Sequence, residues 1–269
     1  MGKYPVLKFD KLKAYFRYPY VIDLENANGV IKVLVPTIGD IVEFGEQTFY
    51  LTLNIFVTNT TTNKLMLWNI NKDWNKTSDY ELFIMLFPSI NNDVCKLLFR
   101  DENNNEIDFS KFEIYNRIYN EGEENEERKI VLYNEEQNIE INEDVYEHIH
   151  QYLGFVFNMK PENKFTDDIM LKKWWIDKER REVEKKKGEK EKDEKSLLLS
   201  LISSCINHPG FKYNLEQLKD VGVCQFYDSV SRLLIMEQSL ACLKGLYSGM
   251  VDSKKIKPES YNWMKEIDN

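Results

Sequence analysis

The segment Val223–Tyr247 has the pattern of a long amphipathic helix. At 100° per residue, its apolar side chains share one arc of a helix and its polar side chains, such as Ser239, lie on the opposite arc. Glu237 and Lys244 interrupt the apolar arc, and each must pair or reach water because an unpaired buried charge costs several kcal/mol. One interpretation is that the two charges mark a surface that meets a partner. The other is that the face is ordinary core and that the two charged groups reach solvent at its edge.

We adopt the first interpretation and predict a partner-binding surface on this helix and on the segment that follows it. Charges on an otherwise apolar interface fix the register and the choice of partner. The predicted partner-binding residues are Phe226, Val230, Leu233, Glu237, Leu240, Lys244 and Trp263.

Residues 1–35 are predicted to form an N-terminal arm and hairpin. The arm mixes aromatic and basic side chains, which could stack on single-stranded nucleic acid. We favour docking of the arm on its own domain or on a neighbouring subunit. Strand patterns follow at residues 20–24 and 30–35, and Asn28-Gly29 between them is typical of a tight turn.

Residues 36–93 are predicted to form an N-terminal helical core. Thr37, with Asp40 three positions on, can cap a helix that we expect to continue to residue 56. Gly45 on its apolar face would permit the close approach of another backbone. Leu51 belongs to a second apolar stripe, so we expect this helix to be buried on two sides. The tetrapeptide Ser78-Asp-Tyr-Glu81 has the pattern of a capping box and predicts the start of a further helix.

Residues 94–141 are predicted to form an acidic β meander. Strands are expected at residues 94–99, 106–115 and 129–133, the last of them paired with 138–141. Residues 142–195 are predicted helices ending in a charged linker, and Asn142 is expected to cap the first of them. Trp174-Trp175 could anchor a ligand or partner, but we assign the pair to packing. Residues 196–269 are predicted to form a C-terminal helical region. Capped helices around short strands, without a βαβ rhythm, predict a helix-dominated α+β fold with a small antiparallel β meander inserted between helical regions.

Charge is distributed unevenly along the 269 residues, whose net charge is −9. An acidic chain is a poor general ligand for nucleic acid, because phosphate contacts are made mainly by Lys and Arg. Residues 101–147 contain 16 acidic and four basic side chains, a local charge of −12, so the remaining chain carries about +3. The acidity is therefore confined to one region.

Little in the sequence indicates catalysis or a cofactor. His148 and His150 lie two positions apart in a predicted helix, so they point in different directions and cannot share a metal ion. The four cysteines have no CxxC spacing, and the sequence has no Gly-rich phosphate loop, GxSxG or HExxH motif. We therefore predict no enzymatic activity, cofactor or metal, and a hydrolase site built from scattered carboxylates is a minority alternative.

The sequence has no apolar run long enough for a transmembrane helix and no apolar N-terminal signal segment. It therefore predicts a cytoplasmic protein that does not contact a membrane.

Spaced residues, mainly in the C-terminal third, resemble those of a known family. They are Leu197-Leu-Leu, Leu201-Ile202, Gln225-Phe-Tyr-Asp228, Arg232-Leu233 and Asn262-Trp263-Met264, together with Val33-Leu-Val-Pro-Thr-Ile-Gly-Asp40, Phe44-Gly-Glu and Tyr50 near the start. This pattern resembles the tail-assembly-chaperone-like proteins of tailed bacteriophages of Gram-positive hosts. The acidic meander has no counterpart in the pattern.

The resemblance implies a virion morphogenesis protein in the cytoplasm of the host bacterium, binding hydrophobic segments of a tape-measure or tail-tube protein. An apolar helical face without catalytic motifs agrees with an interaction protein. Expected partners are proteins, including phage tail proteins or further copies of the chain, rather than nucleic acid or a membrane. The alternative function is an acidic decoy or regulator that uses residues 101–147 to occupy a basic, nucleic-acid-binding protein.

Overall fold

The computed structural model describes residues 5–119, 127–189, 196–250, 252 and 256–265. The fold is α+β and helix-dominated, as predicted. The helices in these ranges are α1 (Lys11–Tyr15), α2 (Ile38–Phe44), α3 (Glu46–Val57), α4 (Lys64–Asn69), α5 (Asp79–Leu86), α6 (Asn92–Leu98), α7 (Glu143–Val156), α8 (Ile169–Glu189), α9 (Leu197–Ile206), α10 (Leu215–Leu218) and α11 (Val223–Tyr247). The strands are β1 (Tyr20–Ile22), β2 (Ile31–Val33), β3 (Phe99–Arg100), β4 (Glu113–Tyr119), β5 (Glu127–Asn134) and β6 (Ile139–Ile141).

The first sheet confirms the N-terminal hairpin and adds a third strand. β1 pairs antiparallel with β2, and β2 pairs antiparallel with β3. The tight turn is wrong, because β1 ends at Ile22 and β2 begins only at Ile31. Gly29 has a φ of 76°, and a Cβ there would lie 2.6 Å from the carbonyl oxygen of Asn138. Glycine is therefore required where this loop passes the connection between β5 and β6.

The second sheet has the antiparallel order β4-β5-β6, so the predicted pairing of residues 129–133 with 138–141 is confirmed. The strand predicted at 94–99 is wrong over most of its length, since residues 92–98 form α6, which is capped by the side chain of Asn91. The strand predicted from residue 106 begins only at Glu113. A short apolar run fits a buried helix as well as a strand, and the cap decides between them here.

Both sheets and most helices share one hydrophobic core. Phe56 of α3 lies 5.2 Å from Phe99 between ring centroids, and Phe99 lies 5.0 Å from Phe109 in the segment before β4. Leu132 of β5 and Ile141 of β6 are also buried in this core. The acidic region is therefore packed into the main body of the fold through its apolar side chains.

The long helix predicted from Thr37 is two helices, α2 and α3, which meet at Gly45. Gly45 has a φ of 87° and no atom within 4 Å of an added Cβ. Glycine is therefore needed here for the positive φ angle at the junction of the two helices, and the predicted close approach of another backbone is wrong. The capping boxes Thr37–Asp40 and Ser78–Glu81 are both formed, and Asn142 caps α7 as predicted.

Helix α8 contributes one residue to a second, smaller core and is otherwise largely exposed. Ile176 is buried there with Leu67, Trp74 and Leu82. Trp175 packs against this cluster, whereas Trp174 is exposed. The charged residues 177–185 lie mostly on the surface, as expected for a solvated helix, and residues 190–195 of the predicted linker are outside the described part of the chain.

The C-terminal region is attached to α2 by backbone hydrogen bonds. The amides of Ile38 and Gly39 donate to the carbonyls of Val221 and Lys219, both at 3.0 Å, and the amide of Val223 donates to the carbonyl of Pro36 at 2.9 Å. These bonds place the start of α11 on the main core. The N-terminal arm docks on its own domain, where Phe9 packs on aromatic rings of β1 and α7.

Candidate protein-interaction surfaces

The first half of α11 is docked on the core. Phe226 is fully buried among core residues, and Val230 and Leu233 pack partly against them. The assignment of Phe226 to partner binding is therefore wrong, because no partner can reach its ring while the fold is intact. The two charged residues that interrupt the apolar arc, Glu237 and Lys244, come only after this docked part.

The second half of α11 exposes the predicted partner-binding residues. Leu240 is 43% exposed, and Tyr247, one seven-residue repeat further along the same stripe, is 86% exposed. Lys244 lies in solvent between them. Glu237 is 63% exposed in its side chain and lies 3.5 Å from Nε2 of His208, so it both reaches water and has a partner.

The polar arc of α11 is only partly exposed. Ser239 is 2% exposed, which corrects the prediction that it faces solvent. The guanidinium of Arg232 donates to the carbonyl oxygens of Trp263 at 3.3 Å and Lys265 at 2.7 Å. The C-terminal segment therefore contacts α11 at Arg232, whereas the apolar stripe beyond Leu233 stays exposed. Trp263 itself is half exposed beside α11.

A second surface, not predicted, is a groove of about 820 Å³ between α3, the start of α9 and α11. Apolar and aromatic side chains line most of it: Tyr50, Leu51, Met159, Leu197, Leu201 and Tyr227. Leu51 is 64% exposed and Leu197 is 73% exposed. Polar side chains at the edge include Gln47 and Asn54, so the groove combines an apolar surface with a polar rim.

The walls of the groove are fixed by polar contacts. The carboxylate of Glu46 accepts hydrogen bonds from the hydroxyl of Ser196 and from the amide of Leu198 at 2.9 Å, at the N-terminus of α9. The hydroxyls of Tyr50 and Tyr227 are 2.9 Å apart and form a hydrogen bond between α3 and α11. Burial raises the pKa of both phenols, and each also interacts with the other. Both therefore stay neutral, and the groove has pre-formed walls.

One feature of the sequence, an apolar stripe on α3, is part of this groove. Leu51 belongs to a second apolar stripe on α3, a helix we expected to be buried on two sides. In the structure Ile55 of this stripe is buried, but Leu51 is exposed and lines the groove together with Leu197 of α9. The apolar residues at Leu51 and Leu197 were therefore the signal for the groove. They lie far apart in the sequence, and the tertiary structure brings them together.

His148 and His150 form hydrogen bonds within the fold, Cys95 is buried and Cys224 is partly buried. The hydroxyl of Tyr20 lies 2.6 Å from Nδ1 of His148, whose pKa is lowered by burial. Nδ1 of His150 donates to the carbonyl of Phe56 at 2.9 Å. Burial raises the pKa of the Cys95 and Cys224 thiols, which disfavours the reactive thiolate. In the described ranges, no group of three or more His, Cys, Asp or Glu side chains could hold a metal ion.

Several acidic side chains of the 101–147 region make contacts within the chain. Glu140 pairs with Arg117, and Glu136 lies 3.0 Å from Lys111. Asp108 accepts hydrogen bonds from Ser110 and Asn92, which hold the pKa of its carboxyl below the usual range. Residues 120–126, which contain a further part of the acidic cluster, are outside the described residues.

The comparison with known families concerns the C-terminal part of the chain. Residues 187–268 match the YomV second domain. The YomV match relates this region to a phage-like protein family of Bacillus prophage. It includes α9 and α11, and thus one wall of the groove and the whole exposed half-helix, but not α3 or either sheet. No curated protein and no solved structure matches the chain significantly.

The YomV match confirms the predicted relation to phage proteins at the level of a phage-like family. It carries no information on tail assembly. Of the helices in the described residues, none is long and apolar enough to cross a lipid bilayer.

Proposed function

We propose that this chain is a non-enzymatic phage morphogenesis protein, similar to a tail assembly chaperone, that holds an apolar segment of a tape-measure or tail-tube protein in the groove between α3 and α9. The observation that carries the proposal is the exposure of Leu51 and Leu197 on facing walls of a large, pre-formed groove. An apolar groove with a polar rim suits an amphipathic helix, whose apolar face replaces water on the groove walls.

The position of the groove supports a role in binding rather than in packing. One wall belongs to the region that matches the phage-like YomV domain, and the other wall belongs to the preceding part of the chain. The contacts from Glu46 to the start of α9 hold the two walls together. A client segment would therefore meet a rigid surface, which lowers the entropic cost of binding.

The acidic decoy function receives less support. Glu136, Glu140 and Asp108 are engaged in contacts within the chain, so a basic partner would have to compete with those contacts. Their role in positioning the second sheet and the loop before it accounts for part of the local acidity. We therefore assign client binding to the groove.

The test is binding of the purified full-length chain to the tape-measure and tail-tube proteins encoded in the same phage genome, by co-expression followed by titration calorimetry. Leu51→Glu and Leu197→Glu should each weaken binding at least about 10-fold, because a charge replaces a desolvated apolar contact. The matched control is Ile114→Glu on β4, where the side chain is 60% exposed and lies outside the groove.

All three variants should melt close to the wild-type temperature, since none of the replaced side chains is buried. Wild-type protein that binds neither tail protein would refute the proposal. Groove variants that bind as tightly as Ile114→Glu would refute the assignment to the groove.

A further inference from the structure

The exposed stripe of α11 continues the spacing of its docked part. Successive positions are separated by four and three residues in alternation, the repeat of a coiled-coil seam. They are Phe226, Val230, Leu233, Glu237, Leu240, Lys244 and Tyr247. The first three lie against the core, and the last four face outward. The seam therefore has an intramolecular partner for its first half and an open second half.

We propose that the open half pairs with the same half-helix of a second copy of the chain, antiparallel, around a two-fold axis close to Ala241. A surface that pairs with itself across a two-fold axis must be complementary to its own rotated image. The stripe from Glu237 to Lys244 has this property, because the axis exchanges its acidic end with its basic end.

The two charges cannot satisfy each other within one helix. Glu237 and Lys244 are seven residues apart, which is about 10 Å along the axis at 1.5 Å per residue. A parallel in-register pair would bring Glu237 against Glu237 and Lys244 against Lys244, and both contacts are repulsive. The antiparallel pair brings each Glu237 within about one helical turn of Lys244 in the second copy, so that two attractive contacts flank the Leu240 side chains.

The geometry around the stripe suits this occupant. Met236 and Leu240 add exposed apolar surface on the open side, and the C-terminal segment is bound at Arg232, before the open half begins. Glu237 lies 3.5 Å from Nε2 of His208, yet its side chain is 63% exposed and can reach a second copy. The open half covers residues 234–247, about 21 Å of helix. This is short for a permanent dimer, so association should be reversible and depend on concentration.

The test measures self-association of the full chain by sedimentation equilibrium over a wide concentration range. Wild-type protein should dimerise. Glu237→Lys and Lys244→Glu should each weaken dimerisation at least about 10-fold, because each creates two like-charge contacts across the axis. An equimolar mixture of the two variants should restore association, since one copy then presents only Lys and the other only Glu at these positions.

The mixture keeps the test independent of folding defects, because each variant serves as the folding control of the other. The double variant Glu237→Lys/Lys244→Glu should also dimerise, as the exchanged charges remain complementary. His208→Gln should retain the dimer and thereby separate the proposed pair from the intramolecular one. Leu51→Glu in the groove should retain it as well.

Three outcomes would overturn the proposal: a wild-type chain that is monomeric throughout, single variants that dimerise like the wild type, or a mixture that shows no heterodimer. The third outcome would point to charges that act within one copy. The first would leave the stripe open to a different protein.

Discussion

The two halves of α11 have similar sequence patterns and different surroundings. In the first half, Phe226 enters the main core and the start of the helix is tied to α2 by backbone hydrogen bonds. In the second half, Leu240 and Tyr247 continue the same stripe but face solvent. The comparison shows that an apolar periodicity identifies a contact face without identifying what covers it. It also suggests that the first half provides stability and the second half provides association.

The largest expected effect is on Phe226. Phe226→Ala should lower the free energy of unfolding by about 3–5 kcal/mol, the range for removing a buried aromatic ring and leaving a cavity. Leu234→Ala, in the second half where the side chain is 68% exposed, should change it by less than about 0.5 kcal/mol. Urea denaturation of both variants measures the difference. If Phe226→Ala does not fold, Phe226→Leu should still show a loss, and equal effects at the two positions would contradict the distinction between the halves.

The second largest loss of stability is expected where backbone hydrogen bonds join α2 to the segment before α11. A Cβ at Gly39 would lie 2.7 Å from the carbonyl oxygen of Lys219, which is a main-chain atom that cannot rotate away. Gly39→Ala should therefore cost about 1–3 kcal/mol, as overpacking does. Hydrogen exchange should accelerate at the amides of Ile38 and Val223, which take part in the same attachment. Unchanged exchange at both amides would show that the docked half is held by side chains alone.

The smallest expected effect concerns the hydrogen bond between α3 and α11. Tyr227→Phe should lower stability by about 1 kcal/mol, because it removes the partner of the partly buried Tyr50 hydroxyl. Tyr247→Phe is the same substitution in the exposed half and should have no measurable effect. Combining Tyr227→Phe with Tyr50→Phe should cost less than the sum of the single changes, since the two hydroxyls act as a pair. Strict additivity in thermal denaturation would argue against the bond.

Elements whose signals are local could be predicted from the amino-acid sequence. The caps at Thr37, Ser78 and Asn142 formed as predicted, because a cap depends on residues three or four positions apart. The long helix Val223–Tyr247 also formed as predicted, because its apolar residues repeat at helical spacing. The α+β class also followed from these local signals. The resemblance seen in spaced residues of the C-terminal third agrees with the match of residues 187–268 to the YomV second domain.

Which faces are covered and which remain open depends on the tertiary structure. The wrong strand at residues 94–99 is a different case, because the Asn91 cap of that helix is a local signal and the apolar run is ambiguous. The burial of Phe226 and the contacts of Arg232 depend on segments far away in sequence, the core in the first case and the backbone of Trp263 and Lys265 in the second. The groove between Leu51 and Leu197 likewise exists only because α3 and α9 are brought together. Hydrophobic burial is non-directional, so a stripe of apolar residues is satisfied by any surface that reaches it, and the sequence of that stripe alone does not say which one does.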